Sequence, residues 1–225
     1  SMTNLTSQEL AAGRNVMKQC LAIKSNESVL IVTDPARSNL AGIFAAAAKA
    51  ITKKVELVSF NTMTGNAQEP PPLVAQKIKT AEVALLVTTY SLSHTKARKN
   101  ASQNGCRIAS MPGITLAMAK RTLMADFTQM AALSTKLAEI LSQANSARLT
   151  SAAGTDLTFT LTGRLGDADT GLYTTPGLWG NLPAGEACIG PLENKTQGTL
   201  IIDGAMAEIN LDQPIKIIIK DGLAI

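Results

Sequence analysis

Ser28-Val29-Leu30-Ile31-Val32-Thr33-Asp34-Pro35 is the stretch on which the fold turns. Its first six residues form a compact, β-branched run of strand length, and Pro35 cannot continue a strand's hydrogen-bond ladder. Asp34 is placed to cap the Ala-rich helix that follows to about Ile51, so the unit reads strand, turn, helix. Upstream, Leu10, Met17, Leu21 and Ala22 recur between polar residues and predict an amphipathic helix over 7–24. Downstream, Val55 to Phe60 and Val83 to Thr88 read as further strands, separated by a Pro70-Pro71-Pro72 loop and a short helix. Ser93 is placed to cap a helix from His94 to about Gln103, and Gly105 ends it. Arg107 to Ser110 supplies a fourth strand, and a long helical region runs on to about Ala144. Apolar strands alternating with helices predict α/β architecture: a parallel, Rossmann- or flavodoxin-like sheet covered on both faces.

From Ala147 the texture changes. Arg148 to Thr150 and Leu157 to Thr162 alternate, Gly and Thr become frequent, and helical periodicity disappears. Leu200 to Asp203, Ala207 to Leu211 and Ile215 to Lys220 add strands separated by turns. The expected organisation is an α/β parallel-sheet domain over 1–145 and a β-rich domain over 146–225. A turn signal, Asp221-Gly222, directly follows the last strand, so this second domain is expected to be incomplete.

Composition narrows the function classes. With 225 residues, 45% hydrophobic and 17% charged, the chain can bury a core and is not a disordered polymer. Its formal charge of +4 is scattered, and one Trp, two Tyr and four Phe offer little for base stacking, so no nucleic-acid partner is expected. Three cysteines without CxxC or CxxH spacing indicate neither a disulfide framework nor a zinc knuckle. No apolar run reaches the roughly 18 residues that span a bilayer, so no membrane partner and a cytoplasmic location are expected.

Two residues stand out as candidates for chemistry. In Asn181-Leu182-Pro183-Ala184-Gly185-Glu186, Pro183 fixes one backbone angle and Gly185 frees another, so the Glu186 carboxylate is aimed by the chain around it. It reads either as a turn or cap carboxylate or as one metal ligand whose partners lie elsewhere. His94 starts a helix directly after a buried strand, where open α/β sheets place ligands. It reads either as an exposed helix-start residue or as a base. Lys96, Arg98 and Lys99 on that helix read as a solvated face. Asp34 lies at the same sheet edge but lacks a GxGxxG fingerprint, which argues against dinucleotide binding. Asp156 reads as a hairpin-turn carboxylate, and Cys188 has no basic neighbour in sequence to make it a nucleophile.

Taken together, Ser91-Leu92-Ser93-His94-Thr95 with Ala97-Arg98, Gly105 to Gly113, Gly154-Thr155-Asp156-Leu157 and Asn181 to Glu186 resemble the thermophilic-metalloprotease family of aminopeptidase T-type leucyl aminopeptidases. The Ser-His-Thr segment is at least as similar to a related branch, 2,5-dihydroxypyridine 5,6-dioxygenase. The resemblance implies that Glu186 is a metal ligand and, in the dioxygenase branch, that His94 is a base. It also implies a divalent metal, zinc, cobalt or ferrous iron, in the complete protein. The family's remaining ligands, a further Glu, His residues and an Asp, match no segment here. The chain is therefore expected to be an N-terminal fragment, inactive alone, of a metal-dependent aminopeptidase-like hydrolase. An iron-dependent ring-cleaving dioxygenase and a non-catalytic binding module are the alternatives. A small peptide or small molecule is the expected substrate, and a homodimer the candidate assembly.

Overall fold

A computed structural model describes residues 7–206 and 209–225. In chain order these hold α1 (Ser7–Asn15), β1 (Val29–Thr33), α2 (Ser38–Lys49), β2 (Val55–Ser59), α3 (Pro72–Thr80), β3 (Val83–Val87), α4 (Lys96–Gln103), β4 (Arg107–Ser110), α5 (Leu116–Thr122) and α6 (Phe127–Gln143). There follow β5 (Ser146–Thr150), β6 (Asp156–Thr160), β7 (Asp167–Asp169), β8 (Trp179–Asn181), β9 (Glu186–Cys188), β10 (Gln197–Ile202), β11 (Ala205–Met206), β12 (Ile209–Asn210), β13 (Ile215–Lys220) and β14 (Leu223–Ala224). They are distributed over two compact units, 1–132 with 169–185 and 133–168 with 186–225.

The first unit is built on a five-stranded sheet in the order β2-β1-β3-β4-β8, every pair parallel. The α/β parallel sheet expected from the sequence is present, with β1, β3 and β4 buried at every position. Strand period two explains why such runs are apolar throughout. Leu30, Val32, Ala84, Leu86 and Ile108 point to the face covered by Val74 and Ile78 of α3 and Ala101 of α4. Val29, Ile31, Val83, Leu85 and Ala109 point to the other, packed with Leu40, Ile43 and Phe44 of α2 and with Val16, Met17 and Phe127. Strand β2 is an edge and is half solvated despite its apolar residues.

Several local expectations shift. The helix over 7–24 is α-helical only to Asn15 and then widens into a π-turn over Val16–Cys20, Leu21 N–H bonding to Val16 O at 3.1 Å. The long helical region is two helices, α5 and α6. The fifth strand, β8, comes from a stretch with no strand-like run of its own, and it docks by backbone pairing beside Ile108–Ser110. At the opposite end of β4, the buried Arg107 guanidinium donates to both carboxylate oxygens of Glu27, at 2.9 and 2.7 Å, and to Leu21 O at 3.1 Å.

The second unit carries an antiparallel sheet, β14-β13-β10-β6-β5, as the β-rich texture predicts. The pairs β7-β9 and β11-β12 form separate short ladders. Of the strand expected over Ala207 to Leu211, residues 207 and 208 lie outside the described residues, and Ile209–Asn210 pairs with Ala205–Met206. Asp156 opens β6 rather than sitting in a turn, and Arg148 on β5 holds it with two hydrogen bonds of 2.8 Å. Gly154, at φ +107°, makes the turn.

Candidate functional site

Parallel strands deliver their following loops to one edge of the sheet. In the first unit that carboxyl edge collects Asp34 after β1, the loop 88–95 after β3, Ser110 at the end of β4 and Asn181 at the end of β8. The strand order reverses direction between β1 and β3, which is where open sheets of this kind leave a crevice. Asp34 spans that point. Its buried carboxylate accepts from Thr89 N–H at 2.6 Å and from Thr89 Oγ1 at 3.2 Å, and it makes no side-chain cap to the helical turn behind it. The capping role expected from sequence is thus displaced by a cross-strand tie.

The loop carrying His94 is held from several directions. Leu92 is wholly buried, and Thr95 is the N-cap of α4, accepting from Arg98 N–H at 3.1 Å and donating to Leu92 O at 2.7 Å. Glu69 adds its carboxylate to the same helix start, accepting from Lys96 N–H at 2.5 Å and Ala97 N–H at 3.1 Å, where the helix dipole favours negative charge. Ser93, expected as the cap, is engaged otherwise. Its hydroxyl lies 2.9 Å from Ser110 Oγ and 2.9 Å from Asn181 Oδ1. The chain past this point therefore leaves His94 exposed on a rigid support.

His94 meets Trp179 edge to face, with ring centroids 6.1 Å apart and planes at 86°. Arg98 lies with its guanidinium carbon 3.7 Å from the centre of the same indole, and its Nε donates to Ser93 O at 2.7 Å. Arg98 thus does not belong to the solvated face expected of it. Burial lowers its pKa from the ordinary value, but a guanidinium remains charged at any relevant pH. Trp179 and Asn181, two residues apart on β8, share one face of the sheet. Beneath them Tyr173 donates to Asn181 O at 2.7 Å, and burial, with Asp169 nearby, pushes the phenol far up. Trp179 was absent from the sequence candidates, and Arg98 was read only as part of a solvated face. The lone tryptophan of an aromatic-poor chain was the signal that could have found them.

Glu186 opens β9 in the second unit and is exposed. The turn before it has the backbone its residues called for. Gly185 sits at φ +113°, and a Cβ there would lie 2.0 Å from Met130 Sδ, so only glycine fits. The Leu182–Pro183 peptide is cis. Cys188 is exposed, whereas burial pushes the Cys20 and Cys106 thiols up to about 12. Among the described residues no group of three or more His, Cys, Asp or Glu side chains could hold a metal ion. None of the described helices is long and apolar enough to cross a membrane.

Two open depressions flank the sheet. One, of about 620 Å³, lies beyond the carboxyl end of β2 between Phe60, Met63, Glu69 and Pro70 to Pro72. The other, of about 440 Å³, lies at the opposite edge, where Lys77 is paired with Glu56 and Lys54 donates to Asn26 O. The carboxyl-edge depression is on the side of the His94 cluster.

These features define an open α/β protein that gathers polar side chains, His94 among them, at the carboxyl edge of its parallel sheet. A family model for 2,5-dihydroxypyridine 5,6-dioxygenase (NicX) matches residues 9–224, and the chain belongs to that family. Among solved structures it is similar to the 2,5-dihydroxypyridine dioxygenase of Pseudomonas putida KT2440, with 18% identity and a TM-score of 0.76 over 98% of this chain and 68% of that one. It is also similar to wild-type AmpT from Thermus thermophilus, at 12% identity and a TM-score of 0.65 over 97% and 70%. At these identities the likenesses concern the fold. No curated protein matches the chain. Of the two branches that the motifs resemble, the dioxygenase branch is the one whose family model spans the chain. The peptidase branch, placed first on motifs, is met only as a distant fold likeness.

Proposed function

We propose that this chain serves the ring-opening dioxygenation of a hydroxylated pyridine, with His94 as the base that takes a ring hydroxyl proton. The family match across residues 9–224 carries this reading. Three features of the first unit support it: His94 is exposed, it stands at the carboxyl edge of the sheet, and an aromatic wall and a cation, Trp179 and Arg98, lie beside it. A flat, electron-rich ring that becomes anionic on losing a proton suits such surroundings.

Oxygen chemistry of this class calls for a metal such as iron. The described residues do not by themselves fit a resident iron, since His94 is the single histidine and no three-ligand cluster occurs among them. Glu186 is the one carboxylate we assign to metal contact, because the resemblance of the Asn181 to Glu186 turn to the peptidase motif implies a ligand at that position. A metallo-aminopeptidase-like activity is the second reading, favoured only by the fold likeness to AmpT.

Oxygen uptake and loss of ring absorbance with 2,5-dihydroxypyridine and ferrous iron test the first reading against release of aniline from a leucyl anilide with zinc or cobalt. We expect ring consumption and no anilide cleavage, with both His94→Ala and Glu186→Ala losing the former. Anilide cleavage without ring consumption would reverse the order of the two readings.

A further inference from the structure

The hydroxyl pair behind His94 dictates which way the Asn181 amide faces. Ser93 and Ser110 are each 1% exposed, and Ser93 Oγ lies 2.9 Å from both Ser110 Oγ and Asn181 Oδ1. A hydroxyl carries one proton. If Ser110 donates to Ser93 and Ser93 donates to Asn181 Oδ1, both buried protons are used. If the amide were flipped so that Nδ2 donated to Ser93, Ser93 would donate to Ser110, and the Ser110 proton would be buried without an acceptor. That is the costlier state, because an unmade buried hydrogen bond forfeits the group's whole desolvation penalty. The chain therefore runs Ser110 to Ser93 to Asn181 Oδ1, leaving the two Nδ2 protons of an exposed side chain directed away from it. The Asn181 backbone is held as well, by Tyr173 and by its pairing with Ser110.

We infer that Asn181 is a ligand-binding residue, its Nδ2 donating to the ring oxygen of a hydroxylated heteroaromatic ligand, with Ser93 and Ser110 as positioning residues. The inference rests on the reading of His94 as base. His94 follows Ser93 directly and meets Trp179, whose side chain shares a face of β8 with Asn181. When the ring O–H breaks, its proton passes to the imidazole and the electron pair stays on oxygen. A donor whose amide orientation is already fixed by Ser93 needs little reorganisation to meet that oxygen, and the two hydroxyls feeding the amide polarise it further.

The test measures binding of 2,5-dihydroxypyridine and of catechol to the full chain, anaerobically and without added metal, by calorimetry and by NMR. The single indole resonance of Trp179 and the Asn181 side-chain amide pair serve as local reporters. Both should shift on ligand addition. Asn181→Asp keeps the size and the acceptor for Ser93 but has no donor, and Asn181→Leu loses the donor without adding charge. Each should weaken binding roughly 10- to 100-fold, the range for a hydrogen bond to a charged group. Ser93→Ala should weaken it roughly three- to tenfold and Ser93→Thr should restore it.

Wild-type affinity in a natively folded Asn181→Asp or Asn181→Leu variant, or no binding of either ring, would overturn the inference. Binding that depends on Asn181 without any turnover of 2,5-dihydroxypyridine would sink the dioxygenase reading and leave Asn181 as the binding residue. Turnover by Asn181→Asp at the wild-type KM would do the opposite.

Discussion

Replacing Glu27 by Ala should be among the most damaging single changes in the first unit. Arg107 is 5% exposed and spends two donors on Glu27, at 2.9 and 2.7 Å, and a third on Leu21 O. Glu27 is 8% exposed, and its carboxylate also accepts from Lys24 N–H at 2.9 Å. Truncation leaves a buried guanidinium with a single carbonyl, a loss of about 3–5 kcal/mol for a broken buried pair. At about 2–4 °C per kcal/mol for a chain of this length, the melting temperature should fall by roughly 6–20 °C. Trp179 emission is the assay of choice, because β8 pairs directly with β4, where Arg107 lies. The hydrogen bonds from Arg107 hold the Glu27 carboxyl below its ordinary value of 4.5. A depressed folded-state pKa stabilises above the unfolded value and is lost as pH falls through the folded one. The gap between wild type and Glu27→Ala should therefore be full at neutral pH and close on acidification below about 4.5. Glu27→Leu combined with Arg107→Met should recover much of the deficit, since an apolar pair of similar volume avoids the stranded charge. A deficit under about 1 kcal/mol, or one unchanged at low pH, would refute the reasoning.

Three further outcomes are expected. Thr95→Ala removes the cap of α4 and should cost about 1 kcal/mol in urea unfolding, with a lower turnover because the His94 segment loosens. Gly180→Ala would place a Cβ 2.4 Å from the Tyr173 ring, so β8 must shift; a loss of about 1–3 kcal/mol and red-shifted native Trp179 emission should follow. With a thiol reagent the native protein should react quickly at Cys188 alone, while Cys20 and Cys106, buried and raised to about 12, should react only on unfolding.

The central strands were legible because burial on both faces leaves a continuous apolar run, as in Val29 to Thr33 and Val83 to Val87. The helices that cover them were legible from their periodicity. β8 was not, because Trp179-Gly180-Asn181 is too short for a pattern and is recruited by backbone pairing with β4. The caps were misassigned for a related reason. Ser93, Thr95 and Asp34 all have the chemistry of caps, and which one serves depends on partners distant in sequence, Ser110, Asn181 and Thr89. His94 was visible as a residue after a buried strand. Its surroundings were not, since Arg98 lies one turn along α4 but Trp179 lies 85 positions away in the chain.

The parallel sheet is completed by a strand that follows β4 only after the strands β5, β6 and β7 have been made. A growing polypeptide therefore reaches residue 110 with one edge of its first sheet bare and must wait for residue 181 before that edge is sealed. During that interval the backbone donors and acceptors of β4 are open to any passing strand, including that of a neighbouring nascent chain. The same late arrival delivers Trp179 and Asn181, so the cluster around His94 cannot be assembled before the sheet is closed. Sealing the edge and building the site are one event in the life of the chain.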